Sequence, residues 1–195
     1  VAGVVPGATS LDPFCGSGTI AIEAALLARR IAPGRGRRFA MEGWPALNSN
    51  ILSDAKKRAA ALERPAPAAI TGRDRDAGAI AASRANAERA GVAANITFEQ
   101  APLSSLPPDG GTGWIVTNPP YGERLGDVAA LRDLYAALGR LLREQRPAWS
   151  LAFLGADRTL EGQLQVPLEE VLRTTNGGIP VHVLRTLPHG GGGGV

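Results

Sequence analysis

Leu11-Asp12-Pro13-Phe14-Cys15-Gly16-Ser17-Gly18-Thr19 runs without a break into Ile20-Ala21-Ile22-Glu23-Ala24-Ala25-Leu26-Leu27-Ala28. The second half is rich in helix formers, sets Ile20, Ala24 and Leu27 on one face, and is followed by the stop signal Pro33-Gly34. The whole stretch therefore reads as a strand end, a glycine loop and a helix start. Gly16 and Gly18 let the backbone come close to a ligand, and the first turn of the helix offers N–H groups that no residue inside it can satisfy. A strand–loop–helix unit of this kind is the building block of an α/β sheet.

The ligand is the next question, because Gly16-Ser17-Gly18-Thr19-Ile20-Ala21 formally matches the dinucleotide fingerprint with Ala in the third place. Asp12 argues against that reading. A carboxylate at the strand tip repels a pyrophosphate and attracts a cation such as an α-ammonium group. The next acidic strand end, Asp74, also lies far beyond the roughly 20 residues of a dinucleotide fold. A cationic cofactor carrying a nucleoside fits better; the alternative is a tight turn whose glycines serve packing alone.

The second informative stretch is Thr117-Asn118-Pro119-Pro120-Tyr121-Gly122, which follows the apolar run Trp114-Ile115-Val116. Two prolines fix φ and remove two donors, leaving a stiff loop of acceptors at a strand end. The Asn118 amide oxygen, the Pro119 carbonyl and the face of Tyr121 suit a planar ring carrying an NH2 group. An isolated Asn-Pro-Pro-Tyr also reads as a rigid turn with a capping tyrosine.

Between and beyond these stretches, strands are expected at 68–72, 96–99 and 149–154, and helices at about 48–62, 77–89 and 128–144. In the first of these helices Ile51, Ala55, Ala59 and Leu62 form the expected inner face, and Trp44-Pro45 before it reads as a packing anchor. Asp74 at the tip of the second strand can accept from both hydroxyls of a ribose, Asp76 can cap the helix that follows, and Gly91 can close it. Asp157-Arg158-Thr159-Leu160 begins a short helix, and 171–175, Asn176-Gly177-Gly178 and 179–187 form a hairpin. The order of elements describes a largely parallel α/β sheet with its last strand antiparallel. Ligands in such sheets bind beyond the carboxyl ends of the strands, where Asp12 to Gly18, Asp74 and Asn118 to Tyr121 converge.

With 195 residues, 44% hydrophobic and 20% charged, the chain fits one globular domain. A single cysteine, Cys15, excludes an internal disulfide and fits a reducing, cytoplasmic setting. No run of 18 apolar residues marks a membrane span. His182 and His189 are the only histidines and lack metal-site spacing, so no metal is expected. Of the 21 basic residues 19 are Arg, five of them between Arg29 and Arg38; that run is open to reading as a solvated loop or as an RNA-phosphate contact.

Asp12 to Thr19 together with Asn118-Pro119-Pro120-Tyr121-Gly122-Glu123-Arg124-Leu125-Gly126 resembles the class I S-adenosylmethionine-dependent RNA methyltransferases that modify the exocyclic amine of guanine. The likeness is greatest to the bacterial 23S ribosomal RNA guanine-N2 methyltransferases that carry a THUMP domain, and it extends to Glu42-Gly43-Trp44-Pro45, Leu134-Tyr135 and Asn176-Gly177-Gly178. It implies a Rossmann-like, doubly wound sheet and S-adenosyl-L-methionine as cofactor. Asp12, Gly16 and Gly18 would hold the methionine portion, Pro13, Phe14 and Thr19 would shape the pocket, Asp74 would take the ribose, and Asn118 would border cofactor and substrate alike. Asn118, Pro119, Pro120 and Tyr121 would receive an extruded base, stacked on Tyr121, with ribosomal RNA as the partner. Asn-Pro-Pro-Tyr is shared with amino methyltransferases acting on tRNA guanine, DNA adenine and protein glutamine, and a non-catalytic cofactor- or RNA-binding domain is a further reading.

Two departures from the family pattern stand out. The chain starts eleven residues before Asp12, so residues 1–189 are expected to be the methyltransferase domain without its N-terminal RNA-binding THUMP region, with 190–195 a glycine-rich tail. The Asp that commonly holds the adenine amine after the third strand is replaced by Pro102, leaving Gln100 or backbone groups for that task.

Overall fold

The computed structural model describes residues 8–44, 49–66, 69–121 and 128–187. Pro45, the Gly122–Gly126 part of the motif, His189 and the glycine-rich tail lie outside the described residues. The strands are β1 (Ser10–Asp12), β2 (Ile70–Asp74), β3 (Thr97–Gln100), β4 (Gly113–Thr117), β5 (Trp149–Gly155), β6 (Leu168–Asn176) and β7 (Ile179–Thr186). They form one sheet in the order β3-β2-β1-β4-β5-β7-β6. The first five pair in parallel; β7 runs antiparallel to β5, and β6 antiparallel to β7. The fold is a Rossmann-like class I methyltransferase sheet, as its motifs imply. The strand order reverses between β1 and β4, and their carboxyl tips end in Asp12 and Thr117, with Asn118 next in the chain.

The helices are α1 (Thr19–Ala28), α2 (Ser49–Ala60), α3 (Ala77–Ala90), α4 (Val128–Arg140) and α5 (Arg158–Gly162). Local chemistry sets their ends. Asp76 accepts from Ala79 N at 2.7 Å and starts α3, and Gly91, in a left-handed conformation, ends it. Asp157 accepts from Thr159 N and Leu160 N to start α5. Beyond Arg140 the α4 path continues as a π-helical turn over Leu141–Gln145.

Two cores lie on opposite faces of the sheet. Ile22, Ala25, Ile70, Ile80, Val92 and Phe98 join α1 and α3 to β2 and β3. Ile115, Leu131, Tyr135, Leu138, Leu151, Phe153 and Leu184 join α4 to β4, β5 and β7. At about 1.5–3 kcal/mol for a fully buried large apolar side chain, Leu184 adds to the β5–β7 pairing that holds the antiparallel hairpin to the parallel sheet.

Three expectations about packing are corrected. The buried face of α1 is Ala21, Ile22, Ala25 and Ala28, while Leu27 is 65% exposed. Alanines let the helix lie close to the sheet, so the seam follows small residues and the larger Leu27 points outward. In α2, Ile51 and Leu62 beyond its end are exposed, and Leu52, Ala55 and Ala59 form the half-buried side. Trp44 is 64% exposed and is not part of either core. The arginine run is largely committed to local partners: Arg35 pairs with Glu63 at 2.9 Å, Arg38 with Glu42, and Arg29 donates to Gly91 O.

The hairpin also begins earlier than its sequence suggests. β6 starts at Leu168, with an irregularity in register between Glu170 and Leu172. Burial along β7 falls on Val181 and Leu184, so its pattern does not alternate cleanly, because both faces of the strand are partly covered.

Gly139 in α4 is the closest approach in this core: a Cβ there would sit 2.0 Å from the Leu164 carbonyl oxygen. An interior Gly→Ala in a helix ordinarily stabilises by up to about 1 kcal/mol. Gly139→Ala is expected to destabilise instead, by about 1–3 kcal/mol in urea unfolding, because a backbone carbonyl cannot move aside as a side chain can.

Candidate active site

Asp12 closes β1, one residue before Pro13. It is 3% exposed and accepts from Thr117 Oγ1 at 2.6 Å and from Phe14 N at 3.2 Å. The first bond joins the tips of β1 and β4 across 105 residues of sequence. Burial, with a smaller contribution from Asp74, pushes the Asp12 carboxyl up to about 6, against the lowering pull of its two donors. A buried carboxylate in this state gains most from a cation placed against it.

The glycine loop is held from the neighbouring strand. Asp74 at the tip of β2 accepts from Gly16 N through one oxygen and from Asp76 N through the other, both at 3.0 Å. Cys15 N donates to Arg73 O, and Asn86 Nδ2 of α3 donates to Ser17 O. Gly16 and Gly18 both have positive φ, +52° and +84°. Their surroundings differ. A Cβ on Gly16 would meet open space, whereas one on Gly18 would meet Ser83 Cβ at 2.8 Å and the Phe98 ring at 3.2 Å. Gly18 is therefore accounted for by helix–sheet packing, and Gly16 by the turn.

A cavity of about 600 Å³ opens over these strand tips. Pro13, Phe14, Asp74, Asn118 and Pro120 line it, which brings together five of the expected site residues. Asp12 and Gly16 are tied to it through Phe14 and Asp74. Pro119 is fully buried beside it, Thr19 is exposed at the start of α1 with its hydroxyl 3.4 Å from that of Ser17, and Tyr121 packs at the edge of the α4 core. The remaining lining comes from Arg75, from Ala101 to Ser104 after β3, and from α4, where Leu131, Asp133 and Leu134 face the cavity. Of these α4 residues, only Leu134 carried a signal in sequence beyond the helical pattern, through the Leu134-Tyr135 likeness. Gln100 does not line the cavity and donates to Arg75 O at 3.4 Å; Ser104 does line it.

Asn118 Oδ1 is buried and has no hydrogen-bond partner among the described residues. An orphan buried acceptor costs about 1–3 kcal/mol. Its place on the cavity wall makes it the natural receiver of a ligand N–H. Its neighbour Tyr121 accepts at Oη from Asn176 Nδ2, 3.1 Å away in the hairpin turn.

The RMKL-like methyltransferase domain family, UPF0020, matches residues 1–183. The chain belongs to that family. Over 176 residues it is 40% identical to the ribosomal RNA large subunit methyltransferase K/L of Shewanella sp. strain W3-18-1, covering 88% of this chain and 25% of that protein. The domain thus spans about a quarter of the length of the curated relatives it matches. The crystal structure of SMU.472, described as a putative methyltransferase complexed with SAH, superposes with a TM-score of 0.88 at 30% identity, covering 94% of this chain and 49% of that one. A possible methylase from Clostridium difficile 630 gives a TM-score of 0.85 at 34% identity, covering 93% and 48%.

Cys15 in this methyltransferase domain is buried. Burial first, and then Asp12 and Asp74, push its thiol up to about 12, so it stays protonated at neutral pH. His182 is paired with Glu161 at 2.6 Å, on the far side of β5 from the cavity. No helix among the described residues is long and apolar enough to cross a membrane.

The raised Asp12 carboxyl fixes a sign. The folded ligand-free domain binds a proton more tightly than the unfolded chain, so this group's contribution to stability is present below the ordinary value of 3.8 and is lost as pH rises through about 6. Asp12→Asn keeps both donors paired and removes the charge. Denaturant melts are expected to show the variant gaining on the parent between pH 4 and pH 7, by up to about 3 kcal/mol, while cofactor affinity collapses and loses its own rise over the same range.

Proposed function

We propose that this chain is the catalytic domain of an enzyme that uses S-adenosyl-L-methionine to methylate an exocyclic amine in large-subunit ribosomal RNA, with the N2 of a guanine as the acceptor. The observation that carries the reading is the orphan Asn118 Oδ1 on the wall of a cavity that Asp74 lines and that the buried Asp12 adjoins through Phe14. The names of the curated relatives and the SAH bound to a structural relative support it. Action on ribosomal RNA places the work in the cytoplasm.

The residues present fit the cofactor. Asp12 offers a desolvated carboxylate for the α-ammonium group. Asp74 spends one lone pair of each oxygen on a backbone N–H and keeps the others for ribose hydroxyls. Pro102, Leu103 and Ser104 form the adenine end. When bound, the cofactor supplies an electrophilic methyl group on a sulfonium.

The chain's own residues do the rest. Asn118 Oδ1 and the Pro119 carbonyl accept from the two amine hydrogens of the base, which concentrates electron density on nitrogen and turns its lone pair toward the cleft. Pro119 and Pro120 keep those acceptors from drifting, because their φ is fixed and Pro119 is buried. Tyr121 supplies a face for the extruded base to stack on. Rate comes from positioning and from electrostatics in a partly desolvated cleft.

Asn118→Ala is expected to lower transfer of labelled methyl from S-adenosylmethionine to ribosomal RNA by about a hundredfold or more, with cofactor affinity changed far less. Undiminished transfer would remove the loop from the chemistry. Label recovered in adenine or in protein glutamine would move the substrate class. At the adenine end, Pro102→Asp restores the acceptor that the family pattern has there. Calorimetry is expected to show tighter S-adenosylmethionine binding by about three- to tenfold, the worth of one hydrogen bond.

A further inference from the structure

The β6–β7 hairpin is longer than the sheet requires. β7 pairs with β5 only from Ala152 opposite Arg185 to Gly155 opposite His182, whereas Ile179, Pro180 and Val181 pair with β6 alone. At about 3.4 Å per residue, those three residues carry the tip roughly 10 Å past the carboxyl edge of the sheet. Residues 172–180 are exposed throughout, and only Val181, at the base of the overhang, is buried. A two-stranded ribbon without a buried face is marginal in water.

The tip has a defined shape nonetheless. Gly177 and Gly178 have φ of +57° and +85°, the pair of positive angles a two-residue type I′ turn demands, and a Cβ on either would meet open space. The glycines serve the turn alone. The turn aims Asn176: its Nδ2 donates to Tyr121 Oη at 3.1 Å, across 55 residues of sequence. β6 lies three strands from β4, about 14 Å at ordinary strand spacing. The contact therefore closes because the hairpin overhangs the edge and the Asn-Pro-Pro-Tyr loop leans toward it.

We infer that Asn176 is a positioning residue for methyl transfer: the overhanging hairpin tip holds the Tyr121 phenol so that its ring meets the acceptor base at one angle. This rests on the methyl-transfer reading of the cleft. An unrestrained tyrosine at a loop end samples several χ1 rotamers, and a base stacked on it would inherit that freedom. Fixing the hydroxyl from the hairpin tip removes it. Asn176 does not line the cofactor cavity, so its effect falls on the base and not on S-adenosylmethionine.

The test compares Asn176→Ala with Tyr121→Phe, singly and together, in methyl transfer to ribosomal RNA. Each single change is expected to lower kcat/KM for RNA by about three- to tenfold, the range of one exposed hydrogen bond. KM for S-adenosylmethionine stays unchanged, the double variant is no worse than the weaker single, and Asn176→Gln recovers part of the loss. A second readout needs no activity. The chain has two tyrosines, and Tyr135 is buried in the α4 core, so 3-fluorotyrosine labelling gives two assignable fluorine resonances. Asn176→Ala should move the Tyr121 resonance and leave that of Tyr135 in place. Multiplicative losses in the double variant, or an unmoved Tyr121 resonance, overturn the assignment. A moved resonance with unchanged kcat/KM also overturns it, since the contact is then only a clasp. Failure of the methyl-transfer reading is distinguishable: wild-type protein would methylate no RNA, while the fluorine spectrum would still report on the contact.

Discussion

The hydrogen bond from Thr117 Oγ1 to Asp12 fastens the two strand tips on which everything else in the cleft depends. Asp12 closes the first strand and Thr117 the fourth, and these are the neighbours between which the strand order reverses. A bond of 2.6 Å between two buried groups leaves little freedom in how the glycine loop and the Asn-Pro-Pro-Tyr loop face one another. Asp74 adds a second tie by gripping the Gly16 backbone from the other side. The ligand-free protein bears a cost for this arrangement in the form of a carboxyl buried without a cation, and that cost becomes binding free energy when a cation arrives.

Much of this was legible in the sequence because its signals are local. Gly16 and Gly18 after Asp12, the Asp74–Asp76 pair before a helix, and two prolines after a β-branched run each declare their own backbone. A right-handed parallel sheet then allows only one edge at which those tips can meet. What the sequence hid was packing over distance. Alanines at 21, 25 and 28 carry almost no hydrophobic signal, yet they form the seam of α1, while Leu27 faces out. Trp44 reads as an anchor by composition and stands exposed.

The site shows the same division. Pro13, Phe14, Asp74, Asn118 and Pro120 line the cavity as their motifs imply. Leu103, Ser104 and the inner side of α4 are visible only in the fold, since nothing in an ordinary amphipathic helix says that part of its apolar face borders a cavity. Asn176 is the sharper case. Asn176-Gly177-Gly178 is plainly a turn, but that the turn overhangs the sheet and bonds Tyr121 depends on where β5 ends, in a different part of the chain from either partner.

The central claim is that three strand tips build one cleft in which the Asn118 acceptor faces the reacting centre. A crystal structure with S-adenosylhomocysteine and a guanine-containing ribosomal RNA fragment tests it most directly. The account predicts the amino acid end against Asp12, the ribose at Asp74, and an unstacked base between Tyr121 and the cofactor with its amine within hydrogen-bond reach of Asn118 Oδ1. A cofactor seated outside this cavity, or a base amine turned away from Asn118, would contradict it.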